Sequence, residues 1–189
     1  MADMRKRTCP PARFGHLKAL AFSILLLGTV VAFWDRYRIG RFVPDGLHVS
    51  TVLFNAESAP PCFIGGGCNS AGLMAYELPE EVAQALQRRG LAFFGTWSDQ
   101  DRQVPHSSWG YDQWRQTPLP GGYSDWSPEG GPPRIGNFVG RYGFGVFIES
   151  SLESEIDIAL NGAGNYYAFG NGGVLIVMPA RRKVVFAYS

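Results

Sequence analysis

A run of sixteen residues without a single charge, Ala19 to Trp34 (ALAFSILLLGTVVAFW), constrains this chain more than any other stretch. Only Ser23 and Thr29 carry hydroxyls there, and a helix satisfies both on its own backbone carbonyls. At about 1.5 Å per residue the run reaches ~24 Å, a little short of the ~30 Å hydrocarbon core of a bilayer. Leu17 lengthens the apolar surface, Lys18 can snorkel away from it, and Trp34 stands where an interfacial aromatic is expected. With Leu25, Leu26, Leu27 and Val30 at its centre, the pattern predicts a membrane-spanning helix over residues 17–34. The rival reading is a cleavable signal peptide, for which Val30-Val31-Ala32 passes a loose small-residue test. The apolar run continues through that site into Phe33 and Trp34 with no polar region between, so an uncleaved anchor is the expectation.

Orientation follows the basic residues near the two ends. Arg5, Lys6, Arg7, Arg13 and Lys18 precede the run; Arg36, Arg38 and Arg41 follow it. That bias places a basic tail, residues 1–16, in the cytoplasm and the rest of the chain across the membrane. No Asn-x-Ser/Thr sequon occurs, which favours a bacterial inner membrane and a periplasmic domain over a eukaryotic lumen. Cys9 in the tail lacks a lipobox and reads as a free thiol. Cys62 and Cys68 bracket a glycine-rich loop, PPCFIGGGCNSAG, whose backbone freedom lets two thiols approach. A disulfide, two free thiols and a metal pair are all open on spacing; the compartment favours the disulfide. Metal is the weakest of the three, because there is no Cys-x-x-Cys and no histidine nearby.

Residues 35–46 read as a connector ending in the turn signal Pro44-Asp45-Gly46, and residues 47–189 as one extracytoplasmic domain. A net charge of +1 with no basic stripe excludes nucleic acid as a partner. Twenty-four glycines and 14% aromatic residues suit a sheet with many turns. Leu47 to Phe54 alternates and predicts a strand. Pro79 to Arg89 predicts a helix: proline and two glutamates at its start, two arginines at its end, Gly90 as its stop, and Val82, Ala85 and Leu86 as its apolar stripe. Leu91 to Trp97 and Val139 to Ile148 predict strands. Ser154 to Leu160 alternates like a strand, while Ser150 and Glu153 could instead form a capping box for a helix carrying Leu152, Ile156 and Leu160. Asn165–Phe169, Val174–Met178 and Lys183–Tyr188, separated by turn residues, predict an antiparallel meander. The fold class expected is α+β: a mainly antiparallel sheet, one or two short helices, and a C-terminal meander.

Residues 98–137 show no sustained period and are broken by prolines and paired glycines. Their composition is too aromatic for disorder, so Trp109, Tyr111, Trp114, Tyr123 and Trp126 are the candidate partner- or ligand-binding residues, with Trp97 assigned to the core. The plain alternative is a satellite hydrophobic cluster that pins the loop. No nucleophile elbow or phosphate loop occurs; His106, with Ser107, Ser108 and nearby aspartates, is the single hydrolytic candidate and reads first as a solvated loop histidine. No cofactor is implied. The function expected is a non-enzymatic accessory or assembly subunit whose partners are other membrane-protein subunits and the lipid bilayer. A membrane-anchored glycan- or peptide-binding module is the second reading, and a hydrolase using His106 the third.

Overall fold

The structure, a computed structural model, describes residues 14–39, 42–58, 70–104, 110–111, 113–121, 124–128, 130–143, 145–170 and 172–189. The chain divides into two units, Met1–Arg38 and Ile39–Ser189. The first contains one 26-residue helix, α1 (Phe14–Ile39), in which Leu20, Phe22, Ile24, Leu25, Leu26, Leu27, Val30, Val31 and Trp34 are all exposed. Thr29 returns its hydroxyl to the Leu26 carbonyl at 2.7 Å, so the helix carries its polar group internally. Among the described residues no helix is long and apolar enough to cross a membrane.

The second unit is α+β. Its elements in order are β1 (Val52–Ser58), β2 (Ala71–Glu77), α2 (Glu80–Arg89), α3 (Ala92–Gly95), α4 (Asp99–Arg102), β3 (Arg115–Gln116), α5 (Ile135–Gly140), α6 (Ser150–Asn161), β4 (Tyr166–Gly170), β5 (Gly173–Met178) and β6 (Lys183–Tyr188). Among the described residues these strands form one antiparallel sheet in the order β1-β2-β6-β5-β4-β3. The C-terminal meander is as expected, and β2 joins it by pairing Met74 with Phe186 and Tyr76 with Val184.

The middle strands are apolar on both sides, so both faces of the sheet must be covered. Leu175, Val177, Val184, Phe186, Met74 and Tyr76 point to one face, where α2, α3, Val43 and Leu47 cover them. Val174, Ile176, Met178, Val185, Ala187 and Leu73 point to the other, under α5 and α6. Phe42 and Val43, within the stretch read as a connector, thus belong to the core; Phe42 stacks on Phe186 at 4.4 Å.

Helix α2 forms as its sequence dictates. Pro79 precedes it, Val82 and Leu86 are buried as expected, Ala83 is buried with them while Ala85 is only partly so, and the Gly90 N–H closes on the Leu86 carbonyl at 2.8 Å. Gly90 sits at φ +59, a conformation that favours glycine.

Four expectations are corrected. The strand expected over Leu47–Phe54 starts only at Val52, because Asp45–Leu47 forms a 3-10 turn and His48 follows at φ +51. Leu91–Trp97 is not a strand: adjacent Phe93 and Phe94 are both buried in one cluster, which a strand would split between two faces and the short helix α3 does not. Val139–Ile148 is not a strand either; α5 buries Ile135, Phe138 and Val139 at helical spacing, and Gly143 then turns the chain at φ +80. Ser154–Leu160 lies within α6, where Leu152, Ile156, Ala159 and Leu160 face the sheet and Ile158 is 62% exposed. The helix reading holds there without its capping box, since Glu149 is the N-cap and no side chain caps the start.

Ile156 is fully buried at the centre of the second face. Ile156→Ala is expected to lower stability by about 2–5 kcal/mol in urea denaturation, whereas exposed Ile158→Ala should fall within about 0.5 kcal/mol of wild type. Equal effects of the two would reject the assigned face of α6.

Candidate functional site

The residues singled out in the aromatic stretch do not share one exposed surface. Tyr111 is 2% exposed, and its hydroxyl donates to the Phe42 carbonyl at 2.9 Å; burial pushes its phenol well above the usual range. Trp114 stacks on Phe94 at 3.9 Å and 5°, with Trp97 edge-on at 5.7 Å and the Tyr111 ring tilted at 6.1 Å. Trp126 is 1% exposed on the opposite face, stacked on Phe138 at 4.4 Å and 17°. Tyr111 and Trp126 therefore act first as wedges that hold the long segment to the sheet, one on each side. Trp97 is partly buried in the first cluster, as assigned. Trp109, Tyr123, His106, Cys62 and Cys68 lie outside the described residues, as do the side chains of Leu17 and Lys18.

Backbone bonds pin the same segment. Short β3 pairs Arg115 with Tyr167, Thr117 donates its N–H to the Asn165 carbonyl at 3.0 Å, and Leu119 donates to Leu160 at 2.8 Å. The buried Thr117 hydroxyl reaches the Gly162 carbonyl at 2.5 Å. An irregular segment with its polar groups so placed can cover a core without orphaning its backbone.

Where this segment passes the β4–β5 hairpin it leaves a groove of about 540 Å³. Trp126, Phe138 and Phe169 supply aromatic walls, Arg115, Arg141 and Asp125 the charges, and Gly170, Gly172 and Gly173 the hairpin side. Phe169 is 40% exposed and stands edge-on to Trp126 at 6.4 Å. Gly170 is required by close approach: a Cβ there would meet the Gly110 carbonyl oxygen at 2.6 Å.

Arg141, just after α5, is the fixed point of the groove. Its Nη1 donates to Asp125 Oδ2 at 2.7 Å and its Nη2 to the Ser189 carbonyl at 2.7 Å. Its guanidinium lies 4.7 Å from the Phe138 ring centre and 4.8 Å from that of Tyr142. Nε is buried with no hydrogen-bond partner among the described residues. The side chains of Arg141 and Asp125 are 21% and 53% exposed, so the cation is held inside while its acid partner meets water. A guanidinium seated over aromatic rings, with its carboxylate partner half in water, suits binding of a polar group beside an apolar one.

Two other concavities are already used internally. At the end of the sheet Glu155 pairs with Lys183 and with Arg181 at 3.7 Å, and Asn165 donates to the Ala159 carbonyl at 3.0 Å. Beside α6, Asp157 accepts the Ile135 N–H at 2.8 Å and so ties α6 to the start of α5. Among the described residues no group of three metal-ligating side chains comes together. Asp125, Phe138, Arg141 and Phe169 were not singled out from the sequence. Only Asp125 lies close to a tryptophan in the chain, and it stands sixteen positions before Arg141, with an irregular stretch and α5 between them. Comparison with protein-family models, curated proteins and solved structures gave no match.

Asp157 provides a pH test of this architecture. Desolvation raises its pKa above the ordinary carboxylate value of 3.8, with Glu153 adding to the rise and the Ile135 N–H opposing it. A folded-state pKa above the unfolded one means that stability is lost as pH rises from about 3.8 through the folded pKa. Asp157→Asn keeps an acceptor for Ile135 and removes the charge, so its melting temperature is expected to fall less than that of wild type across this interval. An unchanged slope would show that Asp157 is not desolvated there.

Proposed function

We propose that the protein is a non-enzymatic accessory subunit of a membrane protein complex, held in a bacterial inner membrane by α1, with residues 39–189 on the periplasmic side. The observation that carries the reading is the surface of α1. Ile24, Leu25, Leu26 and Leu27 are consecutive and exposed, and at ~100° per residue they leave no polar face. A helix apolar all round needs lipid or protein about it. Basic residues before the run and Trp34 at its far end support insertion with the N-terminus inside. On the oxidising side Cys62 and Cys68 would form their disulfide.

The Arg141 groove supports a binding role for the domain, which also serves the reading of an anchored ligand-binding module. Its described lining holds charged and aromatic groups and no nucleophile. In this proposal the lipid bilayer and neighbouring membrane subunits are the partners of α1, and the domain recruits or positions a further component.

Membrane fractions washed with carbonate at about pH 11 test the anchor. The full chain is expected to remain in the pellet, and the double variant Leu25→Arg with Leu26→Arg to move to the supernatant, since each arginine at a span centre costs roughly 2.5–3.5 kcal/mol. Complete extraction of the wild-type chain by the same wash would refute membrane anchoring.

A further inference from the structure

We infer that the open edge of the sheet binds a second copy of this chain, with β1 pairing antiparallel to β1 of that copy about a twofold axis at Ala56. The inference goes beyond the proposed anchoring and does not depend on it, since every residue it uses lies in the folded domain.

The two edges of the sheet are unlike. β3 closes one of them with two residues, too short a strand to template another. β1 forms the other with seven residues, and among the described residues nothing pairs its outer side. It lacks the usual guards of an edge, having no proline, lysine or arginine. Its irregularity falls between Val52 and Phe54, which leaves residues 54–58 in even register with β2. The Glu77 N–H bonds the Thr51 carbonyl at 2.9 Å, so alternation along β2 turns Ala75, Leu73 and Ala71 toward β1. Through the register, Phe54, Ala56 and Ser58 bond β2 in return. Asn55 and Glu57 therefore present their backbone N–H and C=O groups to the open edge.

The same residues, set against themselves, identify the occupant. With the twofold at Ala56, Asn55 of each copy lies opposite Glu57 of the other, and the two exchange backbone bonds as an antiparallel pair does. Both side chains are exposed, and neither makes a hydrogen bond or ion pair among the described residues. The amide donates and the carboxylate accepts, so each pair is complementary and the single charge of β1 never meets its own kind. On the opposite side Phe54, which packs on the second-face cluster, falls against Ser58, and Ala56 against Ala56, so no bulk blocks the approach. Centring on Glu57 instead would oppose two carboxylates, and centring on Asn55 would draw the irregular start of β1 into the pairing. Any extended strand supplies the backbone bonds; the reciprocal Asn–Glu match is what selects a second copy. So short an interface belongs to the weak class, and the dimer is expected to dissociate in the micromolar range.

Sedimentation equilibrium of the full chain in density-matched detergent, over a dilution series, reads the association. The wild type is expected to pass from dimer to monomer on dilution. Asn55→Glu sets like charges opposite each other in both pairs and should weaken the dimer at least about fivefold. Asn55→Lys puts a cation opposite Glu57 in both pairs and should tighten it about two- to fivefold. Glu57→Pro removes an N–H that only the second copy uses, and should abolish the dimer. Asn55 is exposed, so its two variants should keep the wild-type melting temperature, and their opposite shifts decide the matter even where Glu57→Pro disturbs β1 itself. A monomer at every concentration, a dimer indifferent to Asn55→Glu (as pairing through α1 would be), or shifts of the same sign in both Asn55 variants would overturn the inference. Each of these results leaves the carbonate test of the anchor untouched.

Discussion

The apolar character of β5 and β6 on both sides is the constraint from which the rest of the domain follows. Val174 to Met178 and Val184 to Ala187 are all buried, five and four consecutive side chains. An antiparallel sheet commonly leaves one face to water, but these strands cannot. At about 25 cal/mol per Å² of apolar area, uncovering either face would cost more than a domain's net stability. Two layers must therefore form, α2 and α3 with the residues around Val43 on one side, α5 and α6 on the other. Those helices are short, and they do not close the cover alone. The irregular segment completes it, with Tyr111 and Trp114 in the first layer and Leu119 and Trp126 in the second.

This division of labour explains why a stretch so rich in glycine and proline is also rich in aromatic rings. Each indole covers a large area from a single anchoring point, so few wedges suffice for a chain with little regular structure. The cost is local: Trp114 Nε1 is buried with no partner among the described residues, and the stack on Phe94 offsets it. The groove is a by-product of the same arrangement. Where the segment leaves the second face at Trp126 and the β4–β5 hairpin turns away, the gap is bridged by Arg141, which the Phe138 and Tyr142 rings and its hydrogen bonds fix in place.

What was legible in the sequence were features encoded locally. Pro79, the paired glutamates, the paired arginines and Gly90 define α2 within a dozen residues. The meander was legible because its strands are separated by strong turn residues. Segments whose apolar residues fit two periods were misread. Ile156, Ile158 and Leu160 alternate, yet Leu152 and Ala159 complete a helical stripe, and the sheet face beneath selects the helix. Leu91–Trp97 lacked any cue that both phenylalanines had to face one cluster. In the aromatic stretch, exposure depends on distant partners such as Phe42 and Phe138, which no local pattern reveals. The Arg141–Asp125 pair was hidden for the same reason.

The account stands on the irregular segment being part of the folded core rather than an appendage to it. Hydrogen exchange of the native chain, read by mass spectrometry over residues 113–121 and 130–139, tests that most directly. The N–H groups of Thr117 and Leu119, bonded to Asn165 and Leu160, should exchange in the same slow class as those of β4 and β5. Rapid exchange across both stretches, with β5 and β6 still protected, would contradict it.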